Sequence, residues 1–386
     1  MFLKRIEKER RAMEKGYKHA FILVHGYSVM GAAMEPCAQA MRDVGFEAVA
    51  PHIAPYTSVW DRCCELYAIL KGGRVDYGKV HSEKYGHERY GATYPGILKD
   101  WGEELPDGQG IKKAHLVGHS FGGMTVKEFL HLLSEGSKEE IEGTPESELS
   151  PLFKGGKHDW VISVTTIATP HRGTTSVHGP WHLIMPYMFV HYSKANLSSG
   201  TSKHDADKYQ MDMIGFTSAD RKIPYKPMTI IKFLHSKDSS LYEMRLDGAN
   251  ELNSKYKTYD DIYYFAQSAR YTNSYAGGRI EMPSKDIIDR YKVYCTFVCW
   301  YKRRRLGVGN EWTPNDGLVN VISAKGPAEV PKRGFEWGDE TVKGVWHILP
   351  TEWKYHVSYL GEEWPMEEVH HYFSNLALNL SELPVE

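Results

Sequence analysis

The chain has 386 residues and a formal net charge of −2, its 47 Lys and Arg nearly balanced by 49 Asp and Glu. That balance gives no global pull toward nucleic acid or an acidic membrane, and no apolar stretch reaches the roughly 18–20 residues of a membrane-spanning helix. Five cysteines (Cys37, Cys63, Cys64, Cys295, Cys299) are odd in number, include an adjacent pair and lack zinc-ribbon spacing, which excludes a disulfide framework.

In chain order, residues 4 to 15 alternate charge densely and predict a solvated helix; no apolar signal region precedes or overlaps it. The chain is therefore expected to stay inside its cell, unless an export signal lies outside this sequence. Ala20-Phe21-Ile22-Leu23-Val24 is a continuous apolar run, the pattern of a strand buried on both faces. It stops at His25-Gly26-Tyr27. Met34 to Val44 predicts a helix, and Phe46 to Ala50 a short strand closed by Pro51 and Pro55. From 57 to 96 the chain changes character: Gly, Tyr and His are dense and apolar periodicity fades beyond Leu70, so this stretch reads as an excursion from the main sheet. Ser137 to Glu148 is acidic and reads as a surface loop. Val161 to Ala168, β-branched and apolar, predicts a central strand. Residues 176 to 204 hold an apolar cluster of Trp181, Leu183, Ile184, Met185, Met188, Phe189 and Val190, which reads either as a core helix kinked by Pro186 or as a lid. Ile230 to Leu234 and Ile262 to Ala266 are further strand candidates, and Lys302-Arg303-Arg304-Arg305 reads as a solvated basic face.

The chemistry concentrates between Ala114 and Met124, AHLVGHSFGGM. A short apolar run enters Gly118-His119-Ser120-Phe121-Gly122, a G-x-S-x-G pentapeptide, and Met124, Val126, Phe129, Leu130 and Leu133 then recur at helical spacing until Gly136. In a glycine-rich chain the pentapeptide alone means little. Between a strand and a helix it predicts a nucleophile elbow, in which a sharp turn lifts the Ser120 hydroxyl clear of the backbone and the helix N-terminus faces the place where negative charge develops. In hydrolases with such an elbow, a strand ending in His-Gly supplies the first oxyanion loop. The N–H groups of Tyr27 and Phe121 are then the predicted donors.

Longer stretches carry a resemblance: WDRCCELYAILKGGRVDYGKVH (60–81), YGATYPGIL (90–98), SPLFKGGKHDWVISVTTIATPHRGTT (150–175) and NDGLVN (315–320). With the elbow, they make the chain similar to the thermoalkalophilic bacterial lipases and their staphylococcal relatives. The resemblance implies a single α/β-hydrolase domain over 1–386, with a mostly parallel sheet flanked by helices, a metal-binding excursion and a lid at 176–204. Asp316 matches the family's triad aspartate and His356 its histidine, in the order Ser, Asp, His; Asn-Asp-Gly alone would read as a turn, and His347, His370 and His371 are competing histidines. Asp61, His81, His87 and Asp238 fall where the family places four zinc ligands, a closed and therefore structural set. The family also has an aspartate just before the triad histidine and a calcium-site glutamate two residues after it. Here Tyr355 and Ser358 stand there, with only Glu362 and Glu363 nearby to substitute, which puts calcium in doubt.

The expected activity is that of a serine carboxylester hydrolase, foremost a triacylglycerol lipase working at a lipid–water interface through an acyl-enzyme on Ser120, with no organic cofactor. Phospholipase A1 and short-chain carboxylesterase are the enzymatic alternatives. An inactive lipid-binding protein is the non-enzymatic one. Oligomeric state is not legible.

Overall fold

The structure, a computed structural model, describes residues 16–27, 31–178, 235–278, 280–287, 306–362 and 364–385, with isolated positions between 292 and 299. The charged segment 4–15, the strand candidate at 230–234, the basic run 302–305 and all of the lid segment beyond His178 lie outside these residues.

Seven strands form one sheet: β1 (Ala20–Val24), β2 (Glu47–Val49), β5 (Ala114–His119), β6 (Val161–Ile167), β7 (Tyr263–Gln267), β8 (Lys332–Gly334) and β9 (Trp346–Ile348). Their order is β8-β9-β7-β6-β5-β1-β2, and every pairing is parallel. The β1 run is apolar throughout because alternate side chains enter two different cores. Ala20, Ile22 and Val24 pack with Val126, Phe129 and Leu133 of α4 (Phe121–Glu135) and with Leu66 and Leu70 of α2 (Val59–Lys71). Phe21 and Leu23 pack with Ala38 and Met41 of α1 (Gly31–Arg42) and with Phe373, Leu376 and Ala377 of α7 (Met366–Ser381). Helices thus cover both faces, as an all-parallel sheet requires.

Register levels the strand ends. Val24 lies opposite Gly118, and His119 opposite Ile167. The chain therefore leaves β1, β5 and β6 at one edge of the sheet, where open parallel sheets place their ligands.

The 57–96 excursion stays out of the main sheet. It consists of α2, a two-stranded antiparallel ribbon of β3 (Gly73–Asp76) and β4 (Tyr90–Tyr94), and α3 (Lys79–Tyr85) between them. The acidic stretch after α4 is not the plain surface loop its charge suggests. It holds α5 (Lys138–Gly143), whose Glu140 is buried and accepts the N–H groups of Val80 (3.2 Å) and His81 (2.7 Å). A carboxylate there satisfies orphan donors at the α3 N-terminus. No described helix is long and apolar enough to cross a membrane.

Candidate active site and metal centre

β5 delivers Ser120 to its edge, and the turn there is possible only because of what flanks it. A Cβ on Gly118 would lie 2.5 Å from the Gly122 carbonyl oxygen, and one on Gly26 would lie 2.7 Å from the Ser120 Cβ. Ser120 itself has φ 56°, a region a side chain occupies at a cost of about 1–3 kcal/mol. Its N–H donates to the Ile167 carbonyl at 2.8 Å, which fixes the turn to β6.

The Ser120 Oγ is 2.8 Å from His356 Nε2, and His356 Nδ1 is 2.8 Å from Asp316 Oδ2. Asp316 is wholly buried, and its other oxygen accepts the N–H groups of Leu318 (3.0 Å) and Val319 (2.8 Å). The turn suggested by Asn-Asp-Gly and the expected triad position therefore coincide: one carboxylate oxygen builds the turn and the other meets the imidazole. The three competing histidines are occupied elsewhere. His347 is buried between the Tyr264 carbonyl (3.0 Å) and the Val342 N–H (3.1 Å). His370 pairs with Asp43 at 2.9 Å, and His371 with Asn375 at 2.9 Å.

Further groups support this site. His119, buried beneath the elbow and held neutral by burial with its pKa pushed down to about 3, has its Nε2 3.0 Å from the His356 carbonyl. The His356 N–H donates to the Asp316 carbonyl at 2.9 Å. Lys354, two residues before His356, pairs with Glu352 and sets its ammonium 3.5 Å from the Trp364 ring centroid, 4.9 Å from that of Tyr359 and 5.0 Å from that of Tyr372. Tyr355 packs against Gly317, leaving no room for a Cβ there and locking the aspartate turn to the histidine loop.

Gly26 brings the β1 end alongside Ser120, and Tyr27, the next residue, packs against the cluster that holds Phe121 and Met124. Phe121 is the first residue of α4, and its N–H is among those that a helix leaves without an internal acceptor. Of the two predicted oxyanion donors, Phe121 directly follows Ser120 and Tyr27 follows the glycine packed against it.

The predicted metal residues also converge. Asp61 comes from α2, His81 from α3, His87 from the turn after it and Asp238 from a distant segment, yet their ligand atoms lie within 4.8 Å of one another. His81 Nε2 is 3.4 Å from Asp61 Oδ1 and 3.3 Å from Asp238 Oδ1; His87 Nε2 is 3.4 Å from Asp238 Oδ2. Asp61 Oδ1 and both imidazole Nε2 atoms are buried without a hydrogen-bond partner. Burying such groups unsatisfied is costly, and two nitrogens with two carboxylates suit a tetrahedral divalent cation. His87 Nδ1 lies 3.0 Å from the Glu88 carbonyl, a contact that keeps Nε2 free as a ligand. Trp60 stacks on His81 with ring centroids 4.9 Å apart.

The sheet and the elbow at its edge define an α/β-hydrolase fold, which the most similar solved structures share. Staphylococcus hyicus lipase superimposes with a TM-score of 0.77 at 30% identity, covering 95% of this chain and 96% of that one. EstA from Clostridium botulinum gives 0.78 at 30% identity, covering 95% and 88%. The family model described as "Lipase-like, C-terminal domain" matches residues 22–380, and the chain belongs to that family. A lipase of Staphylococcus epidermidis is 33% identical over 377 residues, 92% of this chain and 52% of the relative. The chain spans about half the length of the curated relatives it matches.

Proposed function

We propose that the chain hydrolyses carboxylic esters of lipids, triacylglycerols foremost, at a lipid–water interface. The observation that carries the reading is the relay from Ser120 through His356 to Asp316, 2.8 Å at each link, on a strained elbow. Ser120 Oγ attacks the ester carbonyl carbon while His356 Nε2 takes its proton. The oxygen that becomes anionic accepts the N–H groups of Tyr27 and Phe121. When the tetrahedral intermediate collapses, His356 returns the proton to the departing alcohol. Water then attacks the acyl-enzyme with His356 again as base, releasing the fatty acid and restoring the hydroxyl. Asp316 holds the imidazole in the tautomer that presents a lone pair to Ser120. The cycle needs no organic cofactor.

We further propose that Asp61, His81, His87 and Asp238 hold one structural zinc ion. Four protein ligands leave no position for a reacting water, so its contribution is to tie α2, α3 and the 238 segment together.

An alkylphosphonate followed by peptide mapping, together with a p-nitrophenyl ester and triglyceride chain-length series, tests the reading. Modification of Ser120 and turnover of long-chain triglycerides are expected. Turnover confined to short soluble esters would make the protein a carboxylesterase, and release of sn-1 chains from phosphatidylcholine a phospholipase A1. Absence of both labelling and turnover would leave a lipid-binding hydrolase fold.

A further inference from the structure

Arg62 is wholly buried in α2, yet among the described residues no carboxylate lies within ion-pairing distance of it. Burying a guanidinium without a directly bonded counter-ion is costly unless its donors find other acceptors. Its donors go instead to backbone and hydroxyl acceptors around the site. One terminal nitrogen donates to the His25 carbonyl, two residues before Tyr27. The other donates to the Ala54 carbonyl at 2.8 Å, and Nε to Thr125 Oγ1 at 2.9 Å. Thr125 Oγ1 in turn donates to the Phe121 carbonyl at 3.2 Å, and the guanidinium carbon lies 5.2 Å from the Phe121 ring centroid. One rigid fork therefore grips the loop that carries Tyr27 and the helix start that carries Phe121.

We propose that Arg62 is a positioning residue for the oxyanion hole: its planar fork sets the separation of the Tyr27 and Phe121 N–H groups and keeps a fixed positive charge behind them. This rests on the reading of Ser120 as the nucleophile. A guanidinium is suited to the task because it reaches several acceptors from one plane, which an ammonium cannot. The charge assists where the substrate oxygen becomes negative, so its effect belongs to the transition state rather than to substrate binding.

The test compares Arg62→Lys, Arg62→Gln and Thr125→Val with the wild type. It measures kcat and KM on a soluble p-nitrophenyl ester, the second-order rate of phosphonate labelling, and the melting temperature, with kinetics run well below each melt. Loss of one oxyanion donor costs about 10²–10³ in kcat. We expect about a 10²-fold fall in kcat for both arginine variants, KM within about twofold, and a parallel fall in labelling rate. Arg62→Lys should recover stability more than rate. Thr125→Val should lower kcat by about 5–10-fold and add little in an Arg62→Lys background, because the two groups act in one chain. A folded Arg62→Lys or Arg62→Gln with wild-type kcat overturns the proposal, as does a change confined to KM or to melting. If neither arginine variant folds, wild-type kcat in Thr125→Val overturns it. Failure of the nucleophile reading looks different, because wild-type protein would then not be labelled at all.

Discussion

In the proposed mechanism Ser120, His356 and Asp316 form one proton-transfer unit, so removing any of them is expected to be severe and not additive. Asp316→Asn is the most informative substitution. It keeps the shape, but an amide that donates to the imidazole selects the wrong tautomer. A fall in kcat of about 10⁴ with unchanged melting is expected, read from ester kinetics and differential scanning fluorimetry; a fall below tenfold would remove Asp316 from the relay. Lys354→Met tests the aromatic cage. Losing the ammonium leaves Glu352 without its cation and three rings without theirs, so the melting temperature should drop by several degrees, with a smaller effect on kcat through the His356 loop. These residues differ in how visible they are in the sequence. Ser120 announces itself because an elbow needs glycines at fixed spacing, and Asp316 and His356 only through their match to the family. Arg62, though inside the 60–81 stretch, His119, though at an unspecified position of the elbow, and Lys354 carry no mark of what they do. Their partners are carbonyls and rings far away in the chain, and no local spacing records which arginine will be buried.

At the scale of elements, the excursion was legible as something other than sheet, because its glycines and tyrosines break every apolar period. A metal-binding role was suggested only through the resemblance, which named four candidate ligands; the structure brings those four residues together. The acidic segment after α4 misled because charge normally marks solvent, whereas Glu140 is buried as a helix cap. Two consequences follow for stability. A metal at the cluster would join α2, α3 and the 238 segment, closing long loops. Chelation should therefore lower the melting temperature before it lowers the rate at moderate temperature, and His87→Ala should reproduce that shift in protein whose metal content falls to zero by elemental analysis. Metal-free protein with an unchanged melt would defeat the clip. Glu140→Gln should loosen the α3 N-terminus by about 1 kcal/mol, seen as a lower melting point that chelation lowers further.

At the scale of the whole molecule, the two-faced burial of β1, β5 and β6 could be read from their apolar runs, whereas β8 and β9, three residues each, are too short to show a period and were placed only by the fold. Burying both faces of the sheet also traps histidines. His25, His115, His119, His171 and His347 are wholly buried; burial pushes His115 and His119 down to about 3, His25 and His171 well below the usual imidazole range, and His347 below it. The folded chain therefore resists protonation at buried rings that the unfolded chain protonates below about pH 6.5. Since the unfolded state binds more protons, stability falls as pH drops through that value and keeps falling toward pH 3. Two buried carboxyls act in the opposite sense. Glu65, raised to about 8, and Glu243, raised well above its ordinary value, are protonated when folded and ionised when unfolded, so they favour folding as pH falls toward 4.5. Between pH 6.5 and 4.5 these rings, joined by His19, whose pKa burial also lowers, outnumber the two carboxyls, so acid destabilises on balance. Urea unfolding at pH 7, 6 and 5, with chelator throughout so that metal release does not enter, should show the midpoint falling steeply with acid. His115, held between Ser163 Oγ (2.7 Å) and the Tyr17 hydroxyl (2.6 Å), isolates one of those protons. His115→Gln should be less stable at pH 7 but lose about 1.4 kcal/mol less per pH unit below 6; a slope identical to the wild type would mean that this ring takes up its proton in the folded protein after all.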